Sequence, residues 1–146
     1  MINREQIYSA LWTLAGASAN FATASRRLRH WSDVSPAEQP ALFMSERGGI
    51  GIVKTWGAPV VWTLYADFYI YAHSTDIYTP PSSILNPLID ALEARLGPVN
   101  PVAGFWQNLG LPDMVQRTYV AGKIETDEGI LGDQAVAIVP VEILCG

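Results

Sequence analysis

The segment at residues 59–73, PVVWTLYADFYIYAH, constrains the fold more than any other part of the chain. Its side chains alternate with a period of two, which places successive residues on opposite faces of an extended strand. The period predicts a long strand with one face buried in the core. The predicted core face consists of Val60, Trp62, Leu64, Ala66, Phe68 and Ile70.

The other face of this predicted strand is aromatic and half polar. Tyr65, Tyr69 and Tyr71 lie on it, together with Asp67 and His73. Tyrosine rings combine a large apolar area with a polar tip, and they are enriched at protein interfaces. We expect part of this face to be covered, either by the second helix or by another subunit.

Two other segments have the periodicity of amphipathic helices. Residues 3–17 are predicted to form the first helix, with Asn3 as its N-cap. The second helix begins either at Asn86, with Pro87 in the first helical position, or near Ser83. The apolar stripes are Ile7, Leu11 and Leu14 in the first helix and Leu85, Leu88, Ile89, Leu92 and Leu96 in the second.

Short apolar runs predict further strands, which lie at 25–31, 41–45, 50–56, 115–126 and 134–145. An acidic, glycine-containing loop at 126–133 joins the last two strands into a predicted C-terminal β-hairpin. With helices gathered against one sheet, the chain is predicted to be a single α+β domain covering 1–146. We expect a mostly antiparallel sheet of about four to five strands packed against two main helices.

Composition restricts the classes of function that the chain can serve. Hydrophobic residues make up 49% of the chain and charged residues only 16%, against a usual charged share of about 25%. A well-filled core is one interpretation, and a self-associating surface is the one that we favour. The lone cysteine, Cys145, fits a reducing cytoplasm. No apolar tract approaches the roughly 18 residues of a membrane-spanning helix.

The charge balance argues against nucleic-acid binding. The net charge is −5, so the chain lacks the broad basic stripe that neutralises phosphates. The one basic cluster is interpreted as a solvated edge, and it consists of Arg26, Arg27, Arg29 and His30.

No catalytic or metal-binding motif is apparent in the sequence. His30 and His73 have no second histidine or cysteine at metal-ligand spacing, so no metal or other cofactor is predicted. The acidic group near the last loop is interpreted as a solvated hairpin tip rather than a weak cation site. That group consists of Glu125, Asp127, Glu128 and Asp133.

Two alternatives come from other functional classes. His73 ends the long strand with Asp76 nearby, and a small enzyme using this pair requires a pocket that holds both side chains. In the second alternative, the face with Tyr65, Tyr69 and Tyr71 binds a small planar molecule in a closed pocket beside the sheet.

The order of the parts along the chain resembles that of the tail terminator and tail-completion proteins of long-tailed bacteriophages. The resemblance covers nearly the whole chain and is carried by several short pieces. They are an opening helix, Pro36 followed by 41–43, the strand 62–71, the helix ILNPLIDALE at 84–93, QNLG at 107–110, GKI at 122–124 and AIVPVEI at 137–143.

The resemblance implies a structural, non-enzymatic virion subunit. Such a subunit forms a ring, typically a hexamer, on the end of the tail tube, stops tube polymerisation and provides the docking surface for the head–neck connector. Its partners are further copies of itself, the tail tube protein and the connector protein. Its place is the head-proximal end of the tail, after assembly in the host cytoplasm. A head–tail connector and another minor tail protein are related alternatives.

The predicted contact surfaces are the tyrosine face, the connection at 105–111 and the acidic loop at 126–134. The loop is expected to become ordered on contact, because it is long, charged and contains glycine. The predicted contact residues are Tyr65, Tyr69, Tyr71, Phe105, Trp106, Leu109, Leu111, Asp127 and Glu128.

Overall fold

The computed structural model of the protein describes residues 1–100, 104, 106–128 and 132–146. Two short 3₁₀ turns, Trp31–Asp33 and Pro36–Glu38, precede the long strands. The fold is α+β, as predicted. The other elements are α1 (Arg4–Gly16), β1 (Thr23–Ser25), β2 (Ala41–Ile52), β3 (Val61–His73), α2 (Ser82–Arg95), β4 (Val115–Val120), β5 (Glu125–Glu128) and β6 (Gln134–Cys145). Among the described residues, no helix is both long and apolar enough to cross a membrane.

All six strands belong to one mixed sheet in the order β1-β2-β3-β6-β4, and β5 pairs with β6 beside β4. The β1–β2 pair is parallel and the others are antiparallel. The sixth strand arises because the strand predicted at 115–126 is divided into β4 and β5. The prediction of a strand at 25–31 is wrong. The strand covers only Thr23–Ser25, and the chain then continues into the 3₁₀ turns.

Pro140 in β6 explains why β4 and β5 are separate. A proline has no N–H group to donate to a neighbouring strand. The Pro140 carbonyl accepts a hydrogen bond from the Ala121 N–H at 3.1 Å, so the side of β6 without a donor faces the β4–β5 edge. The edge chain leaves the ladder over 121–124, and pairing resumes where Glu125 lies opposite Ile138.

β2 is a single strand of twelve residues, whereas two short strands were predicted at 41–45 and 50–56. β2 stays continuous because a bulge lies between Glu46 and Gly49. The bulge accommodates the additional β2 residue there, and the pairing with β3 resumes at Gly49. Gly48, at φ +74°, supplies the left-handed conformation within this bulge.

Both helices pack on one face of the sheet and enclose the main core. Asn3 caps α1 as predicted, since its side-chain oxygen accepts a hydrogen bond from the Gln6 N–H at 3.1 Å. α2 begins at Ser82, so the start near Ser83 is confirmed and Pro87 lies inside the helix. The largest fully buried side chains are Phe43, Phe68, Ile7, Leu11, Leu42, Met44, Leu64, Ile70, Leu85, Leu92, Leu96 and Ile143.

The opposite face of the sheet is half covered by the chain's own residues 26–40. Val34 packs there against Phe43 and Tyr71 in a second, smaller core. The two aromatic rings lie 5.4 Å apart between centroids. The Tyr71 hydroxyl donates a hydrogen bond to the Arg29 carbonyl at 2.6 Å. Residues 26–40, and not α2, therefore cover this part of the face, and coverage of the remainder by another subunit stays a prediction.

Candidate interaction surface

Exposed apolar side chains are grouped at the end of the β2–β3 hairpin. This segment, residues 50–60, is termed the hairpin tip. Its exposed apolar side chains are Ile50, Ile52, Val53, Trp56 and Val60. The Trp56 side chain is 96% exposed. Single exposed apolar residues are common on proteins, whereas a contiguous group of them marks a surface that binds something.

The strands that carry the hairpin tip are held firmly at their base. A Cβ on Gly51 would lie 3.0 Å from the Trp62 indole and 2.8 Å from Val60, so only glycine allows the indole to lie this close to β2. The Arg4 guanidinium stacks over the same indole at 4.5 Å from the ring centroid. Ile52 pairs with Val61 in the last rung of the ladder. The tip is therefore presented on an ordered hairpin that continues into the core.

A second exposed apolar pair lies at the other end of β3. Ile77 and Tyr78 are each 88% exposed in the loop that follows the strand. The Asp76 carboxylate shapes this loop by accepting hydrogen bonds from the Tyr78 N–H and the Thr79 hydroxyl, both at 2.9 Å. β3 has thirteen residues, so the two apolar groups are separated by about 40 Å along the strand.

The three tyrosines of the predicted contact face have different environments. Tyr71 is only 3% exposed and belongs to the second core, so its assignment to a contact surface is wrong. Tyr69 packs partly against that core. Tyr65 is partly exposed and lines a shallow groove beside Asp67. Since Tyr65 and Tyr71 are about 20 Å apart along β3 and Tyr71 is buried, the three rings do not line one ligand pocket.

The predicted contact region at 105–111 is only partly on the surface. Phe105 lies outside the described residues. Leu109 is buried in the main core, so its assignment to a contact surface is also wrong, whereas Leu111 is only partly buried against that core and stays a predicted contact residue. Trp106 is half exposed, and the Arg117 guanidinium lies 5.0 Å from the centroid of its ring.

The Arg117 guanidinium also stacks on Tyr119, at 4.7 Å from that ring centroid. The pKa of Tyr119 is raised, chiefly because its hydroxyl is hydrogen bonded to the Glu142 carboxylate. Trp106, Arg117 and Tyr119 thus form a small aromatic–cation cluster at the β4 edge.

Asp127 and Glu128 lie in a strand, whereas the sequence placed them in a loop. Both are exposed in β5, which ends at Glu128. The Glu128 carboxylate accepts a hydrogen bond from the Ser82 N–H at 2.5 Å and so caps the first turn of α2. Asp127 and Glu125 project from β5 on the face opposite the helices, where they border a groove of about 620 Å³.

The basic cluster is largely engaged within the chain. Arg26 forms ion pairs with Glu5 and Glu46. Arg29 pairs with Glu38 at 2.8 Å, and this contact holds the pKa of Glu38 down to about 2. Arg27 is exposed, and no ion pair to it is found in the described part of the chain.

The histidine–aspartate pair suggested by the sequence does not form. His73 Nε2 lies 2.9 Å from Asp133 Oδ2, while Asp76 is engaged in its own turn. Burial raises the pKa of the Cys145 thiol. Within the described ranges, no three His, Cys, Asp or Glu side chains are grouped so that they could hold a metal ion.

The hairpin tip is the main feature that the sequence reasoning missed. A signal was available: Trp56 stands in a turn, beside Gly57 and Pro59, where a core role is difficult. The flanking residues were instead assigned to a separate short strand. A comparison with protein-family models gives no match for this chain, and no curated protein matches it significantly.

Proposed function

We propose that this protein is a structural subunit of a phage tail, which assembles into a ring on the end of the tail tube. The ring stops tube polymerisation and provides the surface on which the head–neck connector docks. The subunit acts without catalysis, at the head-proximal end of the tail, after assembly in the host cytoplasm. The observation that carries the proposal is the pair of exposed apolar groups at the two ends of β3.

A subunit placed between two partners needs two different contact surfaces. The hairpin tip offers one, with Trp56 at its centre, and the loop with Ile77 and Tyr78 offers another about 40 Å away. Their chemistry suits protein partners, because a few central side chains, often Trp or Tyr as in these two groups, supply most of the affinity of an interface. The order of sequence parts, which resembles that of tail terminator proteins, agrees with such a position.

Tube capping tests the proposal directly. Purified protein is added to polymerising tail-tube subunits from the same virion, and tube lengths are measured by negative-stain imaging. We expect rings on tube ends and a lower mean tube length as the protein concentration rises. Trp56→Ser should abolish capping, while the control variant Val99→Ser, at an exposed apolar residue outside both groups, should cap normally.

Two results would contradict the proposal. One is a strictly monomeric protein by light scattering across a wide range of protein and Mg²⁺ concentrations, with no binding to tubes. The other is a Trp56→Ser variant that caps tubes as well as the wild type. Binding to the connector without any effect on tube length would indicate that the protein is a connector subunit of the same virion and not a tail terminator.

A further inference from the structure

A groove of about 560 Å³ lies between the C-terminal half of α2 and β4. This volume is within the range of about 300–1,000 Å³ that is usual for ligand sites. Leu96, Pro98 and the half-exposed Trp106 give it apolar walls. Asp90 and Glu93, one turn apart on α2, are exposed along it, and neither forms an ion pair in the part of the chain that the structure describes. The α2–β4 groove is therefore apolar inside and acidic on one side.

The α2–β4 groove also contains a polar group that lacks a partner. Thr118 lines it and is only 1% exposed, and its hydroxyl forms no hydrogen bond among the described residues. Buried hydroxyl groups are usually hydrogen bonded. A donor from a bound partner would complete this site, and the indole N–H group of a tryptophan is such a donor.

The hairpin tip has the chemistry that complements this groove. Lys54 is the only charged residue of the tip, and it lies two residues from Trp56. Trp62 pairs with Cys145, the last residue of β6, so residues 53–60 extend beyond the end of that strand. β6 also separates β3 from β4 in the sheet. The tip thus points away from the groove of its own chain and is presented to another molecule.

Two other grooves suit a positively charged tip less well. The groove beside β5 contains Lys123 together with its acids, and the groove beside α1 has Arg95 as the charged residue in its described lining. In the α2–β4 groove no described lining residue is basic, although Arg117 stacks on the ring of Trp106. Charge therefore favours this groove as the site for Lys54.

We propose that the hairpin tip of one copy binds in the α2–β4 groove of the next copy. Trp56 lies against the apolar walls, and Lys54 lies beside Asp90 and Glu93. The two surfaces are different patches of one subunit, so the contact is heterologous and repeats around a ring when the rotation closes. This inference names the partner of the hairpin tip and rests on the proposed function, in which copies form a ring.

Sedimentation of full-length variants tests each side of the contact. Trp56→Ser removes the apolar anchor of the tip, and Asp90→Lys with Glu93→Lys reverses the charge of the groove. We expect each to weaken self-association by about tenfold or more, because a few central residues supply most of the affinity of an interface. Ile77→Ser, at an equally exposed apolar residue outside the contact, is the control for the tip and should associate as the wild type does.

Charge exchange tests the pairing of Lys54 with the groove. Adding Lys54→Glu to the Asp90→Lys, Glu93→Lys variant restores opposite charges, so association should recover most of its loss. Glu125→Lys with Asp127→Lys makes the same charge change on exposed β5 residues and should alter association little. A loss of association in this β5 variant equal to that of the groove variant would place the tip elsewhere and overturn the proposal.

A mixture of the two defective variants gives the sharpest test. Trp56→Ser retains an intact groove, and Asp90→Lys with Glu93→Lys retains an intact tip. An equimolar mixture can form one intact contact, so we expect a mixed dimer that does not grow into a ring, at concentrations where each variant alone is monomeric. Absence of the mixed dimer, with circular dichroism showing that both chains are folded, overturns the proposal.

Tube capping, measured in parallel, separates failure of this inference from failure of the proposed function. If Trp56→Ser associates as the wild type does but no longer caps tubes, the tip contacts the tube, and only the pairing of tip and groove is overturned. If the wild type is monomeric throughout and does not cap tubes, the proposed function fails as well.

Discussion

At the scale of single residues, Tyr65, Tyr69 and Tyr71 show how one pattern gives three environments. They follow one another on the same face of β3. Tyr71 is buried because Val34, from a segment far away in sequence, packs over it. The Tyr71 hydroxyl then needs a partner, since a buried polar group without a hydrogen bond is costly, and the Arg29 carbonyl supplies it.

Tyr71→Phe removes this hydrogen bond and leaves the Arg29 carbonyl without its partner. We expect the free energy of unfolding to fall by about 1 kcal/mol. Urea denaturation followed by circular dichroism measures it. The control is Tyr69→Phe, on the same strand and face, which should change stability by less than about 0.5 kcal/mol. An equal loss in both variants would show that the Tyr71–Arg29 bond contributes nothing specific.

At the scale of elements, the β2–β3 hairpin combines two roles in one pair of strands. Its lower half provides core side chains such as Met44 and Phe68. Beyond the bulge Leu64 of β3 is still buried, whereas residues 46–60, which include the hairpin tip, are all exposed. Because the core lies in the lower half, the tip is expected to be dispensable for folding.

Replacement of residues 53–60 by Asn-Gly tests this division. Ile52 and Val61 are partners in the ladder, so a two-residue turn closes the hairpin directly, and Asn-Gly is the preferred sequence for it. We expect a thermal midpoint close to that of the wild type, together with loss of tube capping. Differential scanning calorimetry and the capping assay measure the two effects. A variant that fails to fold would mean that the tip contributes to the core, contrary to this division.

At the scale of the whole molecule, one sheet joins two cores. The main core includes Tyr8 from α1, and the second core includes Tyr71. Burial, with a smaller contribution from the charge of Glu46 for Tyr8 and of Tyr69 for Tyr71, raises the pKa of each of these tyrosines to about 12. Both cores therefore depend on a tyrosine that stays protonated.

This dependence predicts a loss of stability at alkaline pH. Between pH of about 10 and about 12 the unfolded chain releases protons that the folded chain retains, so the free energy of unfolding decreases as pH rises. Each tyrosine should contribute a decrease of about 1.4 kcal/mol per pH unit in this window and none below it. Urea midpoints measured across the window should fall less steeply for Tyr71→Phe than for the wild type. Identical slopes for the two proteins would show that Tyr71 does not contribute to the loss of stability at alkaline pH.

Much of the fold could be predicted because its signals are local. The period of two at 59–73 predicted β3 to within two residues of its start, and the Asn3 cap marked the start of α1. These features depend on neighbouring residues only. The candidate surface was predicted less well, since Leu109 and Tyr71 are large apolar groups whose burial depends on distant segments.

Alone, the sequence determined the α+β class, the two helices, the long central strand and its core face except for Val60, which is exposed, because backbone periodicity and capping act over a few residues. The tertiary structure decided the features that depend on contacts between distant segments. Pro140 lies in β6, yet it interrupts the neighbouring strand that was predicted at 115–126. The side of Pro140 that would carry an N–H group faces this neighbouring strand. Residues 26–40 bury Tyr71, whereas Trp56 is exposed in the turn beyond the ends of β2 and β3. Side-chain alternation identifies the two faces of a strand, and only packing determines which parts of each face are covered.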